Sequence, residues 1–178
     1  MAVLQRARHG NAQKPVRIVQ RSHKMYRVVA MGGTFDSLHR GHRKLLRQAF
    51  AVGHRVIIGI TSDEFARSLH KPHKLDVYNR RRKDLERLLA SWGVLSRARI
   101  VPLRDRYGPT VRASGIDALV VSKRTLKTAY EINARRKAKG LKLLAINPID
   151  LILADDKRPI SSTRIRRGKI DREGRLVH

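Results

Sequence analysis

Hydrophobic positions along this chain follow two alternating rhythms. Short unbroken apolar runs read as buried strands, and apolar residues recurring every three or four positions read as helices packed on one face. The run Val28-Val29-Ala30-Met31, closed by Gly32-Gly33, predicts a strand over 26–33 and a tight turn. Leu45, Leu46 and Ala49 predict a helix over 41–52, with Gly53 as its C-terminal cap. A second buried strand is predicted over 55–60. Thr61-Ser62-Asp63-Glu64 then reads as a helix start, a hydroxyl cap followed by acids in the first turn. Residues 70–77, with Pro72, read as a polar loop. Leu85, Leu88, Leu89 and Trp92 share one face of a helix predicted over 78–92. Strands follow over 99–103 and 118–121, with a helical turn over 109–114 between them. A helix over 125–139 stops at Gly140. Extended segments over 142–146 and 151–153 and a short helix over 161–167 complete the chain. Continuous rather than alternating strands suit a parallel sheet covered on both faces. The fold expected is therefore α/β, a doubly wound parallel sheet of Rossmann-like form. No internal repeat or low-complexity tract interrupts it.

At 178 residues the chain holds one domain with an appendage. Residues 1–24 carry Arg6, Arg8, Lys14, Arg17, Arg21 and Lys24 and no acid, with poor apolar periodicity. They read as a mobile basic extension, and 25–178 as the domain. The whole chain has 41 Lys and Arg against 14 Asp and Glu, a net charge of +27. Two readings of that excess stay open: a surface that attracts polyanions non-specifically, or a solvated surface with no partner. There is no cysteine, so neither a disulfide framework nor a thiol nucleophile is available. No apolar run approaches the roughly 20 residues of a membrane span. The basic N-terminus lacks the apolar core of a secretory signal. A cytoplasmic enzyme is the expectation, with no membrane partner.

Candidate chemistry concentrates where the first strand meets the first helix. Gly32 and Gly33 lack side chains, so the backbone there can approach a ligand. The first-turn N–H groups of the helix and its dipole favour an anion. His39 and His42, three apart, would share a helical face. Three readings of them stand: zinc ligands, which lack a cysteine or a third ligand at motif spacing; a buried structural pair; or imidazoles that donate to a phosphate in transition. The last agrees best with the glycine turn. A second cluster, Ser161-Ser162-Thr163-Arg164-Ile165-Arg166, sets hydroxyls before a basic helical turn. Ser161 or Ser162 can cap the turn, and Arg164 and Arg166 add charge-assisted donors for phosphate.

Gly33-Thr34-Phe35-Asp36 followed by His39-x-Gly41-His42 resembles the signature of the nucleotidyltransferases built on a HIGH-type motif. Ile160-Ser161-Ser162-Thr163-x-x-Arg166 resembles the triphosphate-binding segment of the same superfamily. Val120-Val121-Ser122, then Ala129-x-x-Ile132-Asn133-x-x-Arg136-x-x-x-Gly140-Leu141, is similar to the archaeal-type phosphopantetheine adenylyltransferases. That likeness runs from about 26 to 175. It departs at Lys123-Arg124, where the family often carries acids.

The resemblance implies adenylyl transfer from ATP to 4′-phosphopantetheine, giving dephospho-coenzyme A and pyrophosphate, with Mg²⁺ carried on ATP and no metal ligand from the protein. It implies that Thr34 orients the acceptor phosphate and His42 stabilises the α-phosphate. Lys71 bridges the phosphates of both substrates, with Lys74 as the other candidate lysine. Arg81 assists on the acceptor side. Gly33, His39, His42, Ser161, Ser162, Thr163 and Arg166 contact ATP. Asp36 is expected to hold the turn. Other acceptors within the superfamily, nicotinamide mononucleotide or flavin mononucleotide, remain alternatives, as does a nucleic-acid-binding protein on a nucleotide-binding fold. The oligomeric state is left open.

Overall fold

The computed structural model describes residues 26–69 and 74–177. The basic extension 1–24 and Lys71 lie outside the described residues. The elements follow the order β1 (Tyr26–Gly33), α1 (Arg40–Val52), β2 (Gly53–Thr61), α2 (Asp63–Ser68), α3 (Tyr78–Ser91), β3 (Ala98–Leu103), β4 (Ala118–Ser122), α4 (Leu126–Ala138), β5 (Ala145–Ile149) and α5 (Ser162–Arg166). The five strands form one sheet in the order β3-β2-β1-β4-β5. Every pairing is parallel. The chain winds outward from β1 to β3, then returns to lay β4 on the other side of β1. Strand order therefore reverses between β1 and β4, and the crevice at their carboxyl ends is where such sheets collect ligands.

Each face of the sheet has its own core. On one side Leu45, Leu46, Ala49 and Phe50 of α1 and Leu85 and Leu89 of α3 pack on Val29, Met31, Val56, Ile58 and Ile60. On the other, Ala129 and Ile132 of α4 pack with Ile116 and Leu144 on Ala30 and Leu119. Unbroken apolar runs in β1 and β2 follow from this, since alternate side chains enter opposite cores. A third, smaller cluster of Ala154, Ile160 and Ile170 holds the segment around α5 together. Among the described residues, no helix is long and apolar enough to cross a membrane.

Three boundaries differ from the sequence expectation. The last strand begins at Ala145 rather than 142. Side chains of α4 take the preceding backbone groups first: Arg136 Nε donates to the Lys142 carbonyl at 2.7 Å, and the Asn133 amide exchanges two hydrogen bonds with Leu144. The segment 151–153 forms only an isolated antiparallel bridge, Leu153 to Pro159. Gly53 does follow α1, but in extended backbone (φ −115°) as the first residue of β2. Its N–H donates to the Ala49 carbonyl, so it caps α1 as expected, though without left-handed backbone; Arg97 Nη2 adds donors to Phe50 O and Gly53 O at 2.8 and 2.6 Å.

Gly53 is there for space. A Cβ at that position would stand 2.7 Å from Val29 Cγ2 and 3.1 Å from the Ala49 carbonyl. Gly53→Ala is therefore expected to overpack the contact of α1, β1 and β2 and to cost about 1–3 kcal/mol. Thermal melting of the variant should show a fall of several degrees for a domain of this size; an unchanged Tm would contradict the packing described.

Candidate active site

The turn between β1 and α1 is held in an unusual conformation. Phe35 (φ 53°) and Ser37 (φ 47°) both adopt left-handed backbone, flanking Asp36. Such conformations cost of order 1–3 kcal/mol each for residues other than glycine, so the surroundings must impose them. They do so through Asp36, which is fully buried. Its Oδ1 accepts from Arg166 Nη2 at 2.8 Å and from the Asp76 N–H at 3.2 Å, and its Oδ2 accepts from Arg166 Nε at 3.2 Å. Its backbone carbonyl accepts from Ser162 Oγ at 2.7 Å. The expectation that Asp36 holds the turn is met, and its reach extends to α5.

The same turn reorders the expected anion site at α1. The first helical N–H groups are already used by the protein. Arg40 N donates to the Arg172 carbonyl at 3.0 Å, and Gly41 N and His42 N donate to His39 Nδ1 at 3.1 and 3.4 Å. His39 is thus the N-cap of α1, a role that sequence rules give to Ser, Thr, Asp or Asn. Accepting these bonds requires an unprotonated Nδ1, which leaves Nε2 to carry the ring proton. The His39 and His42 rings stack with centroids 3.8 Å apart, and Phe35 packs on His42 at 5.3 Å. Any anion bound here must be met by side chains rather than by a bare helix end.

The two glycines are likewise spent on protein. A Cβ on Gly33 would meet the Phe35 ring at 3.2 Å, and one on Gly32 would meet Leu103 Cδ1 at 3.0 Å. Their absent side chains admit Phe35 and Leu103, and both glycines also line the cavity at the end of β1.

Beside this turn a cavity of 260 Å³ opens at the carboxyl ends of β1, β2 and β4. Gly33 and Thr34 stand among its lining residues, and Leu103, Tyr107, Leu119, Val121 and Ile132 give it a largely apolar wall. Thr34 therefore lies at the cavity, at the carboxyl end of β1 and at the start of the turn that leads to His39 and His42.

Arg81 does not. Its side chain is 1% exposed, and its guanidinium donates to the carbonyls of Thr34 (2.9 Å) and Asp76 (2.8 Å), to Thr61 Oγ1 (3.1 Å) and to Asp63 (2.8 Å). It braces Thr34 from behind and is directed at protein groups. Nothing in helical periodicity separates a buried bracing arginine on α3 from an exposed phosphate ligand. Lys74 is exposed in the loop before α3.

At α5, Ser161 caps the helix, its Oγ accepting from Arg164 N at 3.4 Å. Ser162 is buried on Asp36, while Thr163 is half-buried. Arg164 turns back to Asp156 at 2.5 Å and to the Pro159 carbonyl. Arg166 lies against Asp36 and, at 2.7 Å, against Asp76. The hydrogen bonds it donates to Asp36, with the charge of that carboxylate and the bond to and charge of Asp76, hold the Arg166 guanidinium more firmly protonated than an ordinary arginine. The departure at Lys123 also has a partner: its ammonium meets Asp150 at 2.7 Å, which raises the lysine pKa and lowers that of the acid. Among the described residues, no group of three or more His, Asp or Glu is arranged to hold a metal ion.

A parallel sheet reversing beside β1, a histidine pair at the mouth of α1 and a serine-arginine segment tied to the same turn define a class. The cytidylyltransferase-like family model matches residues 30–168, and the chain belongs to that family of nucleotidyltransferases. Within it, the likeness is to phosphopantetheine adenylyltransferases. The protein of that name from Methanothermobacter thermautotrophicus is 46% identical over 154 residues, 86% of this chain and 92% of that protein. Its counterpart from Methanopyrus kandleri is 42% identical over 146 residues, 82% of this chain and 92% of that protein. A crystal structure from Archaeoglobus fulgidus, of a protein described as having unknown function, superposes with a TM-score of 0.63 at 33% identity, covering 68% of this chain and 88% of that one.

The cap makes Gly41 informative. A Cβ there would press on the His39 ring, 3.0 Å from Cε1 and 3.1 Å from Nδ1. Gly→Ala within a helix ordinarily stabilises by about 0.5–1 kcal/mol. Here Gly41→Ala is expected to shift His39 and lower turnover about tenfold or more while Tm changes by only a degree or two. Full activity in the variant would show that the cap geometry does not matter to catalysis.

Proposed function

We propose that the protein transfers the adenylyl group of ATP to the phosphate of 4′-phosphopantetheine, releasing pyrophosphate and forming dephospho-coenzyme A. The observation that carries this reading is the largely apolar cavity lined by Gly33 and Thr34, at the carboxyl end of β1 where the turn leading to the histidine pair begins. An acceptor with a phosphate at one end and a long, weakly polar arm suits such a site, with the phosphate at Thr34 and the arm against Leu103, Tyr107 and Ile132. The family membership and the relatives' names support the same reading.

The step needs no protein nucleophile. An acceptor phosphate oxygen attacks the α-phosphorus in line, the bond from that phosphorus to the bridging oxygen breaks, and pyrophosphate leaves with the electron pair. The protein contributes alignment and charge stabilisation. In this reading Thr34 orients the attacking phosphate, with its backbone fixed by Arg81, so that Arg81 is a positioning residue. His42 donates to the α-phosphate as negative charge builds. His39 contributes through Nε2, since Nδ1 serves the cap. Lys74, exposed on the loop preceding α3, or Lys71 would neutralise phosphates of both substrates. Ser161, Thr163 and Arg166 would meet the β- and γ-phosphates. The side-chain oxygen of Ser162 faces Asp36, and its part is to seat α5. Mg²⁺, held mainly by phosphate oxygens and water, would add charge neutralisation on ATP. We also place the reaction in the cytoplasm, where ATP is available. The basic surface would attract polyanions weakly and in a salt-dependent manner.

The direct test is pyrophosphate release from ATP with 4′-phosphopantetheine, nicotinamide mononucleotide and flavin mononucleotide in parallel. Brisk turnover of the first alone is expected. Turnover confined to either of the others would overturn the acceptor and leave the reaction class standing. In the active pairing, His42→Ala should lower kcat about 100- to 1,000-fold, the loss typical of a transition-state donor. Thr34→Ala should instead raise the KM of the acceptor. A His42→Ala variant that changes only KM would remove the histidine from the transition state.

A further inference from the structure

Asp36 and the segment Ser162–Arg166 are 126 to 130 positions apart in the chain, yet two separate groups of this one aspartate hold that segment. Its backbone carbonyl takes the Ser162 hydroxyl, and its carboxylate takes Nε and Nη2 of Arg166 side-on. The contact is two-pointed and buried on the acid's side, the geometry in which arginine is most sharply oriented. It leaves Nη1 on the far edge of the guanidinium, which makes no hydrogen bond among the described residues, and 31% of the side chain in solvent. Asp76 supports the same nitrogen that Asp36 holds, Nη2, from the loop before α3. A long flexible side chain is thereby fixed along one edge and presented along the other.

We infer that Asp36 is the positioning residue for the ATP phosphates: it sets α5 through Ser162 and aims the open edge of Arg166 at the triphosphate. This rests on the reading that Arg166 meets ATP. Asp36 itself touches no substrate, since its carboxylate oxygens face the Arg166 fork and the Asp76 N–H. The arrangement couples the two signatures of the chain. The left-handed turn that carries Thr34 toward the acceptor cavity and leads into His39 and His42 is the same turn that orients the residues for the other substrate. Charge alone is not the device, because a cation held by one point would satisfy Asp36 without being aimed.

The test is a double-mutant cycle on Asp36→Asn and Arg166→Ala, read as the Kd of ATP by titration calorimetry and as the KM of each substrate. Arg166→Ala is expected to weaken ATP about tenfold or more with the acceptor KM nearly unchanged. Asp36→Asn should produce most of the same loss, and in the Arg166→Ala background it should add less than twofold. A merely structural role for Asp36 would lower Tm and the active fraction while leaving the Kd of ATP in the folded protein unchanged; that result overturns the inference. So does full additivity of the two changes. Should Asp36→Asn fail to fold, Arg166→Lys decides. Lysine keeps the charge but cannot make the two-point contact, so it should weaken ATP nearly as much as alanine, and retention of affinity within twofold rejects the proposal. An unchanged Kd for ATP in Arg166→Ala would instead refute the placement of the triphosphate, and with it this inference.

Discussion

One buried carboxylate sets the geometry of the catalytic end of this molecule. Asp36 lies in a turn whose neighbours on both sides are in left-handed backbone, and it is bonded to the loop before α3 and to α5. Removing one partner of a buried ion pair typically costs about 3–5 kcal/mol, because a charge is left without compensation. The intact pair contributes far less to net stability, since Asp36 surrenders its hydration entirely and Arg166 a large part of it. What the pair supplies is a defined geometry: three chain segments far apart in sequence meet at one point, and the strained turn is held against relaxation. Phe35, His39, His42 and Thr34 are all within six residues of that point, so their placement follows from it.

Arginine is the second organising theme. Arg81, Arg97 and Arg136 spend much of their hydrogen-bonding capacity on backbone carbonyls. Arg136 is fully buried, with Thr110, Ala113 and Lys142 carbonyls as acceptors. Burial lowers its pKa from the ordinary arginine value. Its Nη2 finds no acceptor among the described residues. Three planar donors at chain reversals thus do what caps and turn residues do elsewhere. Part of the net charge of +27 is consequently structural rather than offered to a partner. Arginine suits this because its fork reaches two carbonyls at once, which a lysine ammonium on its flexible stem does less well.

The site also shows how one set of residues serves folding and chemistry together. His39 ends a helix and by doing so fixes which of its nitrogens carries a proton. Arg81 fills a buried slot and by doing so holds the Thr34 carbonyl. Ser162 closes α5 onto the turn. Such residues act on substrate through the positions of others, which is how a site that only aligns phosphates must work.

Hydrophobic rhythm alone determined the alternation of strands and helices, the parallel sheet and nearly every element boundary, because each strand of β1 and β2 type is buried on both faces and each helix on one. Motif spacing placed Thr34, His39, His42, Ser161 and Arg166 at one end of the sheet, because βα connections and the reversal of strand order leave few other arrangements. The late start of β5 and the loss of a strand at 151–153 were decided by side chains reaching across from α4 and by the packing around α5, which no local window contains. The buried placement of Arg81 and Ser162, the use of His39 as a cap and the filling of the glycine gaps by Phe35 and Leu103 were likewise settled in three dimensions. A guanidinium or a hydroxyl has the same local pattern whether it faces phosphate or a carbonyl. Which one it meets depends on Asp36 and on partners from tens to more than a hundred residues away, and those meet only when the sheet is assembled.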